Sequence, residues 1–220
     1  MKLLAINGSP RKNKNTGQLL TQIAAGAEAK GAKAELVHLK DIQYTGCISC
    51  FACKLIDGPS YGRCVVNDGL KPVLQMAHDA DVLVMGTPFY FMAETSFMRA
   101  FQERLWFQYY LYSLHKPPLS PRKKATALLY TMNVSYEQME DYGKTRIINT
   151  SKTIMEQLFA PCEVFLSCDT LQFDDYSKYD TDRFDVVAKQ KRHKEVFPQE
   201  LQDAFNLGAR LVTGTVNNFV

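Results

Sequence analysis

The first eighteen residues constrain this chain most. Lys2–Asn7 reads KLLAIN, with Leu3, Leu4, Ala5 and Ile6 apolar and not alternating. So short an unbroken apolar run suits a strand buried on both faces, as in a parallel sheet covered by helices. Residues 8–17, GSPRKNKNTG, follow as a polar loop, and a helix-like stretch begins near Gln18. The order strand, loop, helix matters chemically. A helix N-terminus offers unpaired N–H groups and the positive end of the helix dipole, so it attracts an anion. The loop adds Arg11, Lys12 and Lys14, holds no acid, and supplies neutral donors at Ser9, Asn13, Asn15 and Thr16. It is not a Walker A loop, because no Gly-Lys-Ser/Thr closes it, and with only Gly8 and Gly17 it is not G-x-G-x-x-G. Asp41 lies too far along to serve as the ribose-binding acid of a dinucleotide fold. A monophosphate held by hydroxyls and amides fits; an ordinary polar loop is the alternative.

The rest of the chain repeats the strand–helix alternation. A helix is expected over residues 16–30, with Thr16 as its cap and Leu19, Leu20 and Ile23 on its apolar face. Further strands are expected at 34–39, 82–87, 125–132 and 164–171. Helices are expected at 68–79 (capped by Asp68), 95–114, 149–159 and 198–213. Five buried strands with intervening helices define a doubly wound, three-layer α/β/α domain. Ligands of such sheets sit at the carboxyl ends of the strands, at the switch point, where the loops after strands one and three meet. One domain over residues 1–220 is expected, with a cysteine-rich insertion at about 42–67 and an irregular excursion at about 173–197 of unknown role.

Four of the six cysteines fall in the insertion: Cys47, Cys50, Cys53 and Cys64. Three at intervals of three can wrap one tight loop around a cluster. Zinc is a second option, although four-cysteine zinc sites prefer two separated knuckles. Free or redox-active thiols are a third. Cys162 and Cys168 read as core residues.

Two loops carry a family resemblance. GSPRKNKNT resembles the phosphate loop of the flavodoxin-like NAD(P)H-dependent FMN reductases. Gly86-Thr87-Pro88-Phe89-Tyr90-Phe91 sits where that family has its isoalloxazine loop. The Cys47, Cys50 and Cys53 spacing resembles the family's iron–sulfur flavoprotein branch. The likeness covers residues 1 to about 110. It implies a flavodoxin-like five-stranded parallel sheet and FMN as cofactor. Ser9, Arg11, Asn15 and Thr16 would then hold the phosphate, and Pro88, Phe89, Tyr90 and Phe91 the ring. It also implies NAD(P)H as the hydride donor, a quinone, flavin or other small molecule as the acceptor, and no protein nucleophile. The alternative it offers is an FMN plus [4Fe–4S] electron-transfer protein reduced by ferredoxin, with Cys47, Cys50, Cys53 and Cys64 as ligands. The last gap, ten residues, is longer than that branch usually has. A non-catalytic redox sensor is a third function.

Charge and composition exclude other classes. A hydrophobic content of 46% with 22% charged residues is that of a globular domain rather than a disordered or membrane-spanning chain. The net charge of +3 disfavours an acidic carrier that docks on basic partners. The basic run at 189–194 reads as a solvated face, so neither nucleic acid nor membrane is an expected partner. No export signal is legible, so a cytoplasmic location is expected. The four histidines read as structural or surface groups. The aromatic residues Trp106, Phe107, Tyr109, Tyr110 and Tyr112 cannot share one helix face; they read either as a broad core helix or as a homodimer or homotetramer interface beside the site.

Overall fold

The computed structural model describes residues 1–141 and 143–214; the last six residues of the expected domain lie outside that range. The chain runs β1 (Lys2–Asn7), α1 (Asn15–Glu28), β2 (Lys33–His38), α2 (Leu70–Asp79), β3 (Val82–Tyr90) and β4 (Ala93–Glu94). It continues through α3 (Ser96–Tyr109), β5 (Ala125–Thr131), α4 (Tyr136–Asp141), α5 (Lys144–Leu158), β6 (Cys162–Ser167), α6 (Val186–Glu195) and α7 (Phe197–Gly214). The five long strands are parallel, in the order β2-β1-β3-β5-β6. That is the flavodoxin-like doubly wound order, with its switch point between β1 and β3. β4 adds only a two-residue antiparallel return on β3.

Burial on both sheet faces explains the unbroken apolar strands. Leu4, Ile6, Leu83, Met85, Leu128 and Tyr130 face a core under α2, α3 and α5. Leu3, Ala5, Val82, Val84, Ala127 and Leu129 face a second core under α1 and α7. α1 and α7 cross closely: a Cβ on Gly26 would lie 1.9 Å from the Phe205 carbonyl oxygen, and one on Gly208 1.9 Å from that of Ile23. Only glycine permits that approach.

Several boundaries differ from the sequence expectation, each for a local reason. The N-cap of α1 is Lys14, without a side-chain cap bond, and Thr16 lies inside the helix. The N-cap position of α2 is Gly69; the Asp68 carboxylate still accepts the Leu70 amide at 3.1 Å. α3 begins after Thr95, whose Oγ1 accepts the Met98 amide at 3.2 Å, and it ends at Tyr109 rather than near 114. α5 starts five residues early, after Gly143 in the left-handed region (φ 64°). The last strand stops at Ser167.

The excursion is partly ordered as α6, which corrects the reading of the basic run as a solvated face. Lys189 is buried, donating to the Asn133 carbonyl at 2.8 Å and pairing with Asp169. Arg192 pairs with Glu200 of α7.

Candidate functional site: a hydroxyl-lined crevice beside a four-cysteine loop

The parallel register aligns Asn7 with Gly86 and Pro88 with Thr131, so the loops leaving β1, β3 and β5 open on one side of the sheet. Buried Asn7 organises the first turn. Its Oδ1 accepts the Ser9 amide at 2.8 Å, and its amide nitrogen lies 3.0 Å from His38 Nδ1. Burial, and then nearby Lys12, push the His38 pKa below its usual value. Both effects favour the neutral ring, the form that can accept from the Asn7 amide. Ser9 Oγ accepts the Arg11 amide at 3.1 Å, folding the loop back on itself. The Lys12 carbonyl then passes so close to α1 that a Cβ on Gly17 would stand 1.6 Å from its oxygen.

Threonines tie this loop to its neighbours. Thr16 Oγ1 and Thr131 Oγ1 are 2.8 Å apart, joining the start of α1 to the end of β5. Thr95 Oγ1 donates to the Gly8 carbonyl at 2.7 Å and lies 3.3 Å from Thr87 Oγ1. The Gly8 amide donates to the Gly86 carbonyl at 2.8 Å. The two motifs read separately from the sequence are therefore one assembly. Sequence reasoning missed Asn7, Thr87 and Thr95 and set Thr131 aside; an asparagine or threonine at the end of an otherwise apolar strand was the available signal.

The loop's cations are engaged elsewhere. Arg11 donates to the Gln172 carbonyl, Lys12 pairs with Asp41, and Lys14 lies 2.5 Å from Asp174. Asn15 donates its side-chain amide to the Leu171 carbonyl at 2.9 Å. The segment at 168–176 thus closes over the loop's outer side. The loop's neutral donors are the buried hydroxyls of Ser9, which donates to the Arg11 carbonyl at 3.2 Å, and of Thr16, bonded to Thr131, together with the amides of the first turn of α1. That donor set fits a phosphate monoester held by hydrogen bonds and the helix dipole.

The ring-side residues part company. Phe89 is 9% exposed, and its ring packs 5.0 Å from that of Tyr130, so its side chain belongs to the core, contrary to the expected flavin wall. Tyr90 is half-exposed. Phe91 is fully exposed at the tip of the β3–β4 hairpin. Phe91 (φ 46°) and Met92 (φ 68°) are both left-handed. A two-residue turn of that hand matches the strand twist but ordinarily takes asparagine and glycine. Such strain gathers at ligand clamps.

Cys47, Cys50, Cys53 and Cys64 line one narrow cleft of about 20 Å³, together with Phe107 and Arg104. Ser49 (φ 52°) and Phe51 (φ 57°) are left-handed, which curls residues 47–53 into a tight coil. The ten-residue gap closes on itself: the Gly62 amide donates to the Cys53 carbonyl at 3.0 Å, and Ser60 Oγ to the Ala52 carbonyl at 3.1 Å. Length in sequence is therefore not distance in space. Burial pushes the Cys53 thiol up; Lys54 opposes this, and Cys64, Cys47 and Cys50 add to it, so all four sulfurs share one electrostatic neighbourhood. Yet among the described residues no three His, Cys, Asp or Glu converge closely enough to hold a metal ion. A zinc ion needs all its sulfurs about 2.3 Å from one centre. A [4Fe–4S] cluster is bound through separate irons by four cysteine thiolates, which is the donor type this cleft offers. Cys162 and Cys168 are buried and pushed up to about 11 by that burial.

The fold defines an α/β protein of the flavodoxin-like class, with the β1 and β3 loops meeting at the switch point. The family model for NADPH-dependent FMN reductase matches residues 1–135, and the chain belongs to that family. An iron–sulfur flavoprotein of Archaeoglobus fulgidus is 41% identical over 104 residues, 47% of this chain and 48% of that protein. One of Methanocaldococcus jannaschii is 29% identical over 104 residues, 47% of this chain and 51% of that protein. The chain spans about half the length of these curated relatives. Among solved structures, an NAD(P)H:quinone oxidoreductase from Methanothermobacter marburgensis superposes with a TM-score of 0.67 at 13% identity, covering 96% of this chain and 98% of that one. An FMN-dependent NADH-azoreductase from Bacillus anthracis, in complex with FMN, gives 0.65 at 13% identity over the same shares. Likeness at that identity speaks for the fold. Among the described residues no helix is long and apolar enough to cross a membrane.

Proposed function

We propose that this chain is an FMN-dependent oxidoreductase that takes hydride from NAD(P)H and passes electrons to a small-molecule acceptor such as a quinone or free flavin. The observation that carries this reading is the neutral, hydroxyl-lined cradle at the start of α1, joined by Thr95 to the β3–β4 hairpin. Ser9, Thr16 and the first-turn amides would hold the phosphate. Arg11 and Asn15 shape the cradle through their bonds to the 171–172 segment and could reach the phosphate by exchanging those partners. Pro88, Tyr90 and Phe91, with the Phe89 backbone, would meet the ring. FMN, when bound, supplies the hydride- and electron-transfer chemistry. The protein binds, orients and excludes water, and no side chain need act as a nucleophile. A homo-oligomer would cover exposed Tyr110, Tyr112 and Leu114 at the end of α3.

A second reading is favoured by the cysteine cleft and by the names of the relatives: Cys47, Cys50, Cys53 and Cys64 hold a [4Fe–4S] cluster, and a ferredoxin-like partner replaces or follows the nicotinamide. Such a cluster supplies one-electron chemistry. Purification without oxygen tests both. Flavin bands bleached by NADH or NADPH support the first reading, and flavin reduced by neither refutes it. Iron and inorganic sulfide in about equal amounts, near four of each per chain, support the second; their absence after anaerobic reconstitution refutes it.

A further inference from the structure

The sequence leaves Cys64 as the weakest member of the cysteine set, because it stands apart from the close-spaced triplet. Around it the structure builds a bracket from α3. Arg104 is 1% exposed and deeply buried for a residue that must carry charge. Its guanidinium makes four hydrogen bonds. Nε donates to Cys64 Sγ at 3.3 Å, Nη1 to the Asp68 carboxylate at 2.6 Å and to the Thr45 carbonyl at 3.3 Å, and Nη2 to the Val66 carbonyl at 3.1 Å. One turn further along the same helix face, Gln108 Oε1 accepts the Cys64 amide at 3.1 Å. Cys64 is thus fixed by backbone and by sulfur, while Asp68 and the two carbonyls fix the Arg104 fork.

A structural role alone would need only the Asp68 pair and the carbonyls. The remaining donor is aimed at a sulfur that lines the cleft.

We propose that Arg104 is a positioning residue that holds Cys64 as the fourth thiolate of the cluster and, through its N–H···S bond and charge, raises the cluster's reduction potential. Hydrogen bonds to ligand sulfurs and local charge are the protein's means of setting such potentials, and positive charge favours the more negative reduced state. The inference rests on the cluster reading above.

The test uses the full chain, reconstituted anaerobically with iron and sulfide. Its readouts are iron content, the rate of iron loss to a chelator, and the midpoint potential from a redox titration followed by electron paramagnetic resonance. Arg104→Gln is paired with Asp68→Asn, so that no uncompensated charge is left buried; Arg104→Lys keeps the charge but loses the fork, and is read in its place if the pair fails to fold. Relative to the wild type, the paired variant should lose iron on the order of tenfold faster and show a lower midpoint potential. Arg104→Lys should lose iron faster with a smaller fall in potential. Cys64→Ser should lower iron content outright. An iron-loaded wild type with unchanged potential and retention in the Arg104 variants overturns the proposal and leaves the cluster reading standing. Undiminished iron in Cys64→Ser removes the fourth-ligand assignment. A wild type that takes up no iron overturns both.

Discussion

Gly17→Ala separates the phosphate cradle from an ordinary loop. Gly17 lies within α1, where alanine in place of glycine normally stabilises a helix by about 0.5–1 kcal/mol. Here the added Cβ would stand 1.6 Å from the Lys12 carbonyl oxygen and 2.7 Å from its carbon, whereas real Cβ contacts stay beyond 3.0 Å. The obstacle is backbone, not a flexible side chain, so residues 11–14 must move outward by more than an ångström. Forcing extra volume into a packed site costs about 1–3 kcal/mol, which outweighs the helical gain. Net destabilisation of about 1–2 kcal/mol is expected, together with FMN affinity weakened on the order of tenfold or more, since cradle geometry is held to about an ångström. Denaturant unfolding of the FMN-free chain reads the first effect, and titration of flavin fluorescence quenching reads the second. Gly26→Ala is the control. Its Cβ would meet the Phe205 carbonyl oxygen at 1.9 Å, at the α1–α7 crossing, so it should destabilise while sparing FMN affinity. If Gly17→Ala binds FMN as tightly as the wild type while Gly26→Ala behaves as stated, the loop is not the phosphate cradle.

Three further outcomes follow from single contacts. Ser9→Ala with Thr16→Ala removes two buried hydroxyls from the cradle and should weaken FMN on the order of tenfold by equilibrium titration, at about 1 kcal/mol per lost bond. Thr95→Ala removes the N-cap of α3 and the donor to the Gly8 carbonyl; about 1–2 kcal/mol of stability should be lost in urea unfolding, with weaker FMN retention on gel filtration. Lys124 is buried with its ammonium on the Ala77, His78 and Ala80 carbonyls, and burial pushes its pKa down to about 8. Between about pH 8 and the ordinary lysine value the unfolded chain binds the proton more tightly, so folding stability gains with rising pH across that window. Lys124→Met should lose that gain, and equal pH slopes for the two chains in denaturant unfolding would refute it.

Legibility in the sequence followed the range of the physics. The unbroken apolar strands announced a sheet covered on both faces, because each alternate residue needed its own core, and Leu3 and Leu4 do face opposite layers. The link between the β1 and β3 loops was legible because adjacent parallel strands end together. Whether the Phe89 side chain meets a ligand or the core was not legible, because burial of one aromatic depends on Tyr130, a residue of a different strand. The basic run failed for the same reason: Lys189 finds Asp169 and Asn133 only through the tertiary fold. Arg104 left a fainter signal, a charged residue one position before core Leu105 and three after core Phe101 on a helix with no acid at i±4 to pair with it. Its partners, Cys64 and Asp68, belong to a loop whose folding no periodicity describes.

The bonds of Thr95 explain how two loops that are 78 residues apart at Gly8 and Gly86 can act as one support. Each parallel strand ends where its neighbour ends, but strand ends alone leave the loops free to splay. Thr95 caps α3 with the same hydroxyl that donates to the Gly8 carbonyl, so helix start and phosphate turn are set by one atom. Three residues before Thr95, the strained Phe91–Met92 turn has already reversed the chain. Left-handed backbone at two non-glycine residues costs about 1–2 kcal/mol each. That cost is borne where the chain must turn back within two residues to bring Thr95 to the cradle; a longer, relaxed loop would satisfy the backbone but would not fix the distance between ring-side and phosphate-side groups. Strain at the tip and hydroxyl bridges at the base are thus two parts of one device, and relieving the first with Phe91→Asn and Met92→Gly should stabilise the hairpin without moving Thr95.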